Sequence, residues 1–139
     1  MDKAKIKEIR QWLIKALHDL ESAKVLAFGT KDLGDTAVYH CQQVAEKSLK
    51  AYLTLQDQPF QKVHDLTLLL SQCEVTGISF EKLRDACEIL TPYATMFRYP
   101  GNDLNPDKED VVEAVQLAEL IYEFVLKKMP KEIDVGTVF

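Results

Sequence analysis

Glycine and proline are scarce, five of each in 139 residues and gathered at a few points, so the chain between them is free to be helical. No stretch alternates apolar and polar residues as a half-buried strand would. No apolar run approaches the ~20 residues of a membrane span. The opening MDKAKIKEIR lacks the apolar core of a signal peptide. A soluble, cytoplasmic chain with no membrane partner is therefore expected. Positive charge is also short, with 17 Lys and Arg against 22 Asp and Glu and a net charge of -5. That argues against a nonspecific nucleic-acid binder, which needs a cationic surface to displace counterions, but leaves room for a local basic groove. Cysteine is limited to Cys41, Cys73 and Cys87, widely spaced among apolar residues and without zinc or redox spacing. Buried, reduced thiols are expected. There is no glycine-rich phosphate loop, no Gly-x-Ser-x-Gly elbow and no His-Glu-x-x-His helix. His18, His40 and His64 fall on different elements, so neither a metal site nor a cofactor is expected.

What is present is helical periodicity. Ile6, Ile9, Leu13, Ala16, Leu17, Leu20, Ala23 and Ala27 form one stripe, which predicts a helix from about Lys3 to Phe28. A second helix is predicted from Asp35, read as its N-cap, to about Gln56. Asp65 is placed to cap a short helix from Leu66 to about Cys73, and Ser79 to cap another from Phe80 to Leu90. Thr91-Pro92 reads as a cap followed by proline at the first helical position, giving a kink or a fresh short helix to Arg98, and Asn105-Pro106 starts a last helix to about Lys128 by the same logic. The fold class is all-α: an up-and-down bundle of three long and two short helices. Leu117, Leu120 and Phe124 widen the apolar face of the last helix and suggest self-association. Residues 1–129 form the bundle, and 130–139 a tail that is either mobile or docked on a dimer.

Three spots carry chemistry. At about 100° per residue, His40, Gln43, Lys47 and Lys50 fall within about 80° of one another, either a solvated helix face or an amide-bearing basic wall for phosphate. Glu46, four residues before Lys50, is in the better orientation for a helical ion pair, worth only ~0.3–0.5 kcal/mol if exposed. His64-Asp65 reads as a loop residue followed by a cap. Arg98-Tyr99-Pro100-Gly101 is ordinary helix-end chemistry, though an Arg–Tyr pair also suits a phosphate and a base.

The run Tyr39-His40-Cys41-Gln42-Gln43-Val44-Ala45-Glu46-Lys47-Ser48-Leu49-Lys50-Ala51 resembles the second helix of prokaryotic HEPN domains (higher eukaryotes and prokaryotes nucleotide-binding), which read aromatic-His-x-Gln-Gln-x-Ala-Glu-Lys-x-Leu-Lys-Ala. His64-Asp65-Leu66 and Arg98-Tyr99-Pro100 are similar to the family's His-Asp-Leu and Arg-Tyr-Pro. The segment from Trp12 to Ala23 is similar too, so the likeness runs from about residue 8 to 126.

The resemblance implies a homodimer with a cleft between protomers. Many family members are metal-independent ribonucleases carrying an Arg, four to six residues, then His. Here Asp103, Leu104 and Asn105 occupy those places after Arg98. Arginine stabilises phosphate charge but does not transfer protons near neutral pH. The resemblance thus points to a non-catalytic nucleotide- or RNA-binding module paired with a minimal nucleotidyltransferase in a toxin–antitoxin-like system. The alternatives are a divergent ribonuclease toxin using Arg98 with His64 or His40, and a plain nucleotide-holding bundle. The nucleotide- or phosphate-binding residues expected are Arg98, Tyr99, His64, Lys47, Lys50, His40 and Gln43, lining one concave basic region. Asp65 and Glu46 are expected to be structural.

Overall fold

A computed structural model of the chain describes residues 1–101 and 105–135. Three long helices, α1 (Lys3–Phe28), α2 (Gly34–Leu55) and α5 (Lys108–Lys127), are joined by two short ones, α3 (Leu66–Thr76) and α4 (Arg84–Leu90). Single 3-10 segments, Ile78–Leu83 and Thr91–Ala94, flank α4. No strand occurs among the described residues. The chain is the all-α bundle that its periodicity predicts.

Helix α2 is the axis of the bundle. It packs against α1 over the largest surface, then against α5, and α3, α4 and the Thr91–Ala94 turn close its remaining sides. An amphipathic helix normally leaves one face to water. Here burial runs nearly all the way round, from Ala37, Val38, Cys41 and Val44 to Gln42, Gln43, Glu46, Ser48 and Lys50. The stripe on α1 does pack inward, with Ile9, Leu13, Ala16, Leu20 and Ala23 buried. Cys41, Cys73 and Cys87 are free and buried. Burial pushes the Cys41 and Cys87 thiols up to about 12, so they behave as small apolar groups.

Several boundaries shift for identifiable reasons. Asp35 is not the N-cap of α2 but lies in its first turn, its carboxylate accepting the Thr36 backbone N–H at 2.8 Å. Asp65 does cap α3, accepting from Thr67 N–H at 2.9 Å. Ser79 caps nothing, because Gly77 leads directly into the 3-10 segment. A Cβ at Gly77 would stand 2.7 Å from the Tyr52 hydroxyl, so this turn requires glycine. Thr91 is a tie, not a cap: its hydroxyl donates to Cys87 C=O at 2.7 Å and accepts the Leu66 N–H at 3.2 Å. The last helix starts after Asp107 rather than at Asn105-Pro106. Helix α2 stops where Gln58 N–H bonds Leu53 C=O and Asp57 N–H bonds Thr54 C=O, with Asp57 at φ 55° taking the left-handed position usually given to glycine.

The apolar face of α5 is covered largely within the chain. The Phe124 ring meets Phe80 edge-on at 5.0 Å and Leu117 packs on the core, while Leu120 stays 52% exposed. The segment after Pro130 also folds back, burying Ile133 and Val135 in the same core. Positions 136–139 of the tail lie outside the described residues.

Leu49 is fully buried at the centre of α2. Leu49→Ala is expected to cost about 2–5 kcal/mol in urea unfolding, whereas Val75→Ala on the exposed side of α3 stays within about 0.5 kcal/mol.

Candidate functional site

His40 and Lys47 are seven residues apart on α2 and so share a face, the one turned to α1. There both meet Asp19. Its carboxylate accepts from His40 Nδ1 at 2.8 Å and from Lys47 Nζ at 2.6 Å. Burial works against the Asp19 charge, but the hydrogen bonds from His40 and Lys47 and the positive charge of Lys47 outweigh it and hold the carboxyl below its ordinary value. An ionised Asp19 fixes the proton on His40 Nδ1 and leaves Nε2 as the ring's free polar atom.

Beside His40 the α4–α5 connection arrives. The Arg98 guanidinium lies over the Tyr39 ring at 3.8 Å from its centroid, a cation–π contact. Arg98 has no carboxylate partner among the described residues. Asp35, Thr36, Tyr39, His40, Phe97 and Arg98 enclose a cavity of about 270 Å³. His40 also borders an apolar groove of about 400 Å³ formed with Glu21, Ser22, Val25 and Leu26. Tyr99 is exposed next to Arg98.

A second cluster is built on Glu46. Six residues from His40, Glu46 lies roughly 120° round the helix. It holds Lys50 Nζ at 3.0 Å, His64 Nδ1 at 2.9 Å and Gln42 Nε2 at 3.2 Å. Gln42 Nε2 also donates to His64 C=O at 2.9 Å, while Gln43 Nε2 donates to Gln42 Oε1 at 2.7 Å. Lys50 lies over Trp12 and Phe60, 5.6 and 5.5 Å from their ring centroids, with its side chain only 9% exposed. Burial opposes the Glu46 charge as well, and the bonds from His64, Lys50 and Gln42 overcome it, lowering its pKa. The His64 ring itself is 68% exposed.

The single basic strip therefore separates into two clusters. Arg98 and His40 share one cavity, with Tyr99 and Lys47 next to them. Lys50, Gln43 and His64 belong to the Glu46 network, where Lys50 and Gln43 are spent on internal partners. Ten residues of helix, about 15 Å of rise, part His40 from Lys50, and each lysine meets its own carboxylate. Glu46 and Lys50 do form the ion pair that their spacing predicts, and it is buried. Sequence reasoning missed Asp19 as the anchor of His40, and Tyr39, Thr36 and Phe97 as cavity walls. The one available signal was an acidic residue set among Ala16, Leu20 and Ala23 on the inward side of α1. No group of His, Cys, Asp and Glu suited to a metal ion occurs among the described residues. No described helix is long and apolar enough to cross a membrane.

Three comparisons bear on this geometry. A family model described as HEPN domain matches residues 9–129. The crystal structure of TT1696 from Thermus thermophilus aligns with a TM-score of 0.75 at 28% sequence identity, covering 87% of this chain and 98% of that chain. No curated protein matches significantly.

Two outcomes follow from the buried carboxylates. Glu46→Ala strands the Lys50 ammonium and is expected to cost about 3–5 kcal/mol in denaturant unfolding. Because the Asp19 and Glu46 pKa values are depressed in the folded state, their contribution is complete above the ordinary carboxylate range and lost as pH falls through the folded values. Thermal stability is expected to drop on acidification below about pH 4, and less steeply in Asp19→Asn; equal slopes in the two proteins would show that Asp19 is not coupled to folding.

Proposed function

Because the chain belongs to the HEPN family, we propose that it is a non-catalytic module that binds a nucleotide or RNA, with a ligand phosphate at Arg98. The observation that carries this reading is the state of that arginine. Its guanidinium lies over the Tyr39 ring at the edge of a cavity, and no acidic side chain among the described residues occupies its donors. Arginine in that state is prepared for a planar, charge-assisted contact with phosphate. Lys47 is paired with Asp19, so the cation that lines the cavity without an ion-pair partner among the described residues is Arg98. Tyr99 offers an exposed ring for stacking, and the groove beyond His40 offers apolar walls for a base. Lys50, Gln43 and His64 make no ligand contact in this reading.

The finer parts of the proposal rest on the resemblance in α2. The module pairs with a minimal nucleotidyltransferase in a toxin–antitoxin-like system, and it forms a homodimer. Exposed Val25 and Phe28 near the end of α1 support self-association.

One observation favours a second reading, a divergent ribonuclease. Of the two histidines weighed as its base, His40 lies in the Arg98 cavity with Asp19 behind it, and His64 does not. In that reaction His40 Nε2 takes the 2′-hydroxyl proton, O2′ attacks phosphorus, and the P–O5′ bond breaks, its oxygen leaving protonated by water.

Arg98→Ala is expected to weaken binding of single-stranded RNA at least tenfold in fluorescence anisotropy, with an unchanged circular dichroism spectrum. Unchanged binding removes Arg98 as the phosphate ligand. Incubation of the wild-type protein with RNA is expected to leave it intact, and cleavage that disappears in His40→Ala would establish the second reading instead. Affinity purification from native cells is expected to recover a nucleotidyltransferase near equal stoichiometry.

A further inference from the structure

The Arg98 cavity carries a carboxylate as well as a cation. Asp35 and Thr36 form its wall at the first turn of α2. Asp35 Oδ1 accepts the Thr36 N–H at 2.8 Å and is 3.4 Å from the Thr36 hydroxyl. Oδ2 has no hydrogen-bond partner among the described residues. An ionised carboxylate oxygen only accepts, so what it offers an occupant is a site for a donor. A phosphate at neutral pH has few protons to give, and beside Asp35 it meets like charge. A sugar hydroxyl donates readily. The Thr36 hydroxyl, pointed at Oδ1, keeps its lone pairs for a second hydroxyl.

We propose that Asp35 and Thr36 read the ribose, so that the cavity selects a ribonucleotide over a deoxyribonucleotide and one phosphate over a chain of phosphates. This rests on Arg98 being the phosphate ligand, as argued above. The division of labour follows from charge. Arg98 is the arginine or lysine that lines this cavity, and it offsets the charge of one phosphate. A second phosphate pressed toward the helix start would face Asp35, with no further lysine or arginine among the described residues that line the cavity. The volume of about 270 Å³ suits a sugar and a phosphate, and leaves a base to the neighbouring groove that shares His40. Ribose selectivity is also the property that lets a site of this kind tell RNA from DNA.

The test is a titration of the full chain followed by amide chemical shifts, using adenosine 5′-monophosphate, its 2′-deoxy counterpart and ATP. The ribonucleotide is expected to bind roughly tenfold more tightly than the deoxynucleotide, the scale of one hydrogen bond to a charged acceptor, and also more tightly than ATP. The shifts should centre on Asp35, Thr36 and His40. Asp35→Asn keeps an oxygen for the Thr36 N–H and is expected to bring ATP level with the monophosphate; Thr36→Val is expected to narrow the ribose preference. Equal affinity of wild-type protein for the ribo- and deoxynucleotide, with Arg98→Ala still losing both, overturns the ribose reading and leaves the phosphate site intact. Saturation by none of the three, or binding indifferent to Arg98→Ala, overturns both.

Discussion

The bundle depends on how charge is handled inside its central helix. Asp19 and Glu46 are buried carboxylates, and each is satisfied by a cation and further hydrogen bonds. A buried charge without partners costs several kcal/mol, and removing one member of a pair leaves the other stranded. Helix α2 can therefore sit in the middle of the molecule while carrying His40, Gln42, Gln43, Glu46, Lys47 and Lys50. The Asp19 contact also fixes the register of α1 on α2, since its two oxygens must meet side chains a full two turns apart. The Glu46 contact fixes the path of the chain between α2 and α3, because His64 is held by both its ring and its backbone carbonyl.

The proposed site is built on the same contact. Asp19 fixes the His40 tautomer, and His40 is at once a wall of the Arg98 cavity and of the apolar groove. Arg98 reaches this place from the far end of the chain, through a turn that ends two short helical segments, and finds its seat on Tyr39.

Much of the fold was legible because the long helices carry periodic apolar stripes, and the bounds of α1 follow from its stripe without adjustment. The caps were less legible. Asp35, Ser79 and Thr91 are all residues that cap helices, but which carbonyl or N–H they reach depends on segments brought in by tertiary packing. Of the residues expected to act together, Arg98 and His40 meet in one cavity with Lys47 and Tyr99 beside them, and that grouping was not legible. Angular position on a helix says which residues share a face, not whether that face meets water. The face expected to be basic is crossed by Asp19 from another helix and edged by Glu46, and sequence spacing contains no term for either. Lys50 shows the cost of this most directly, read as a surface cation and found between Trp12 and Phe60.

The cavity draws its walls from the start of α2 and from the turn at Phe97 and Arg98, segments about sixty residues apart in the chain. An occupant touching both would act as a noncovalent staple across that span. It would be present only in the folded chain, so its binding free energy would add to the free energy of folding. Melting temperature then becomes a gauge of occupancy, and a cell that depletes the ligand also loosens the protein.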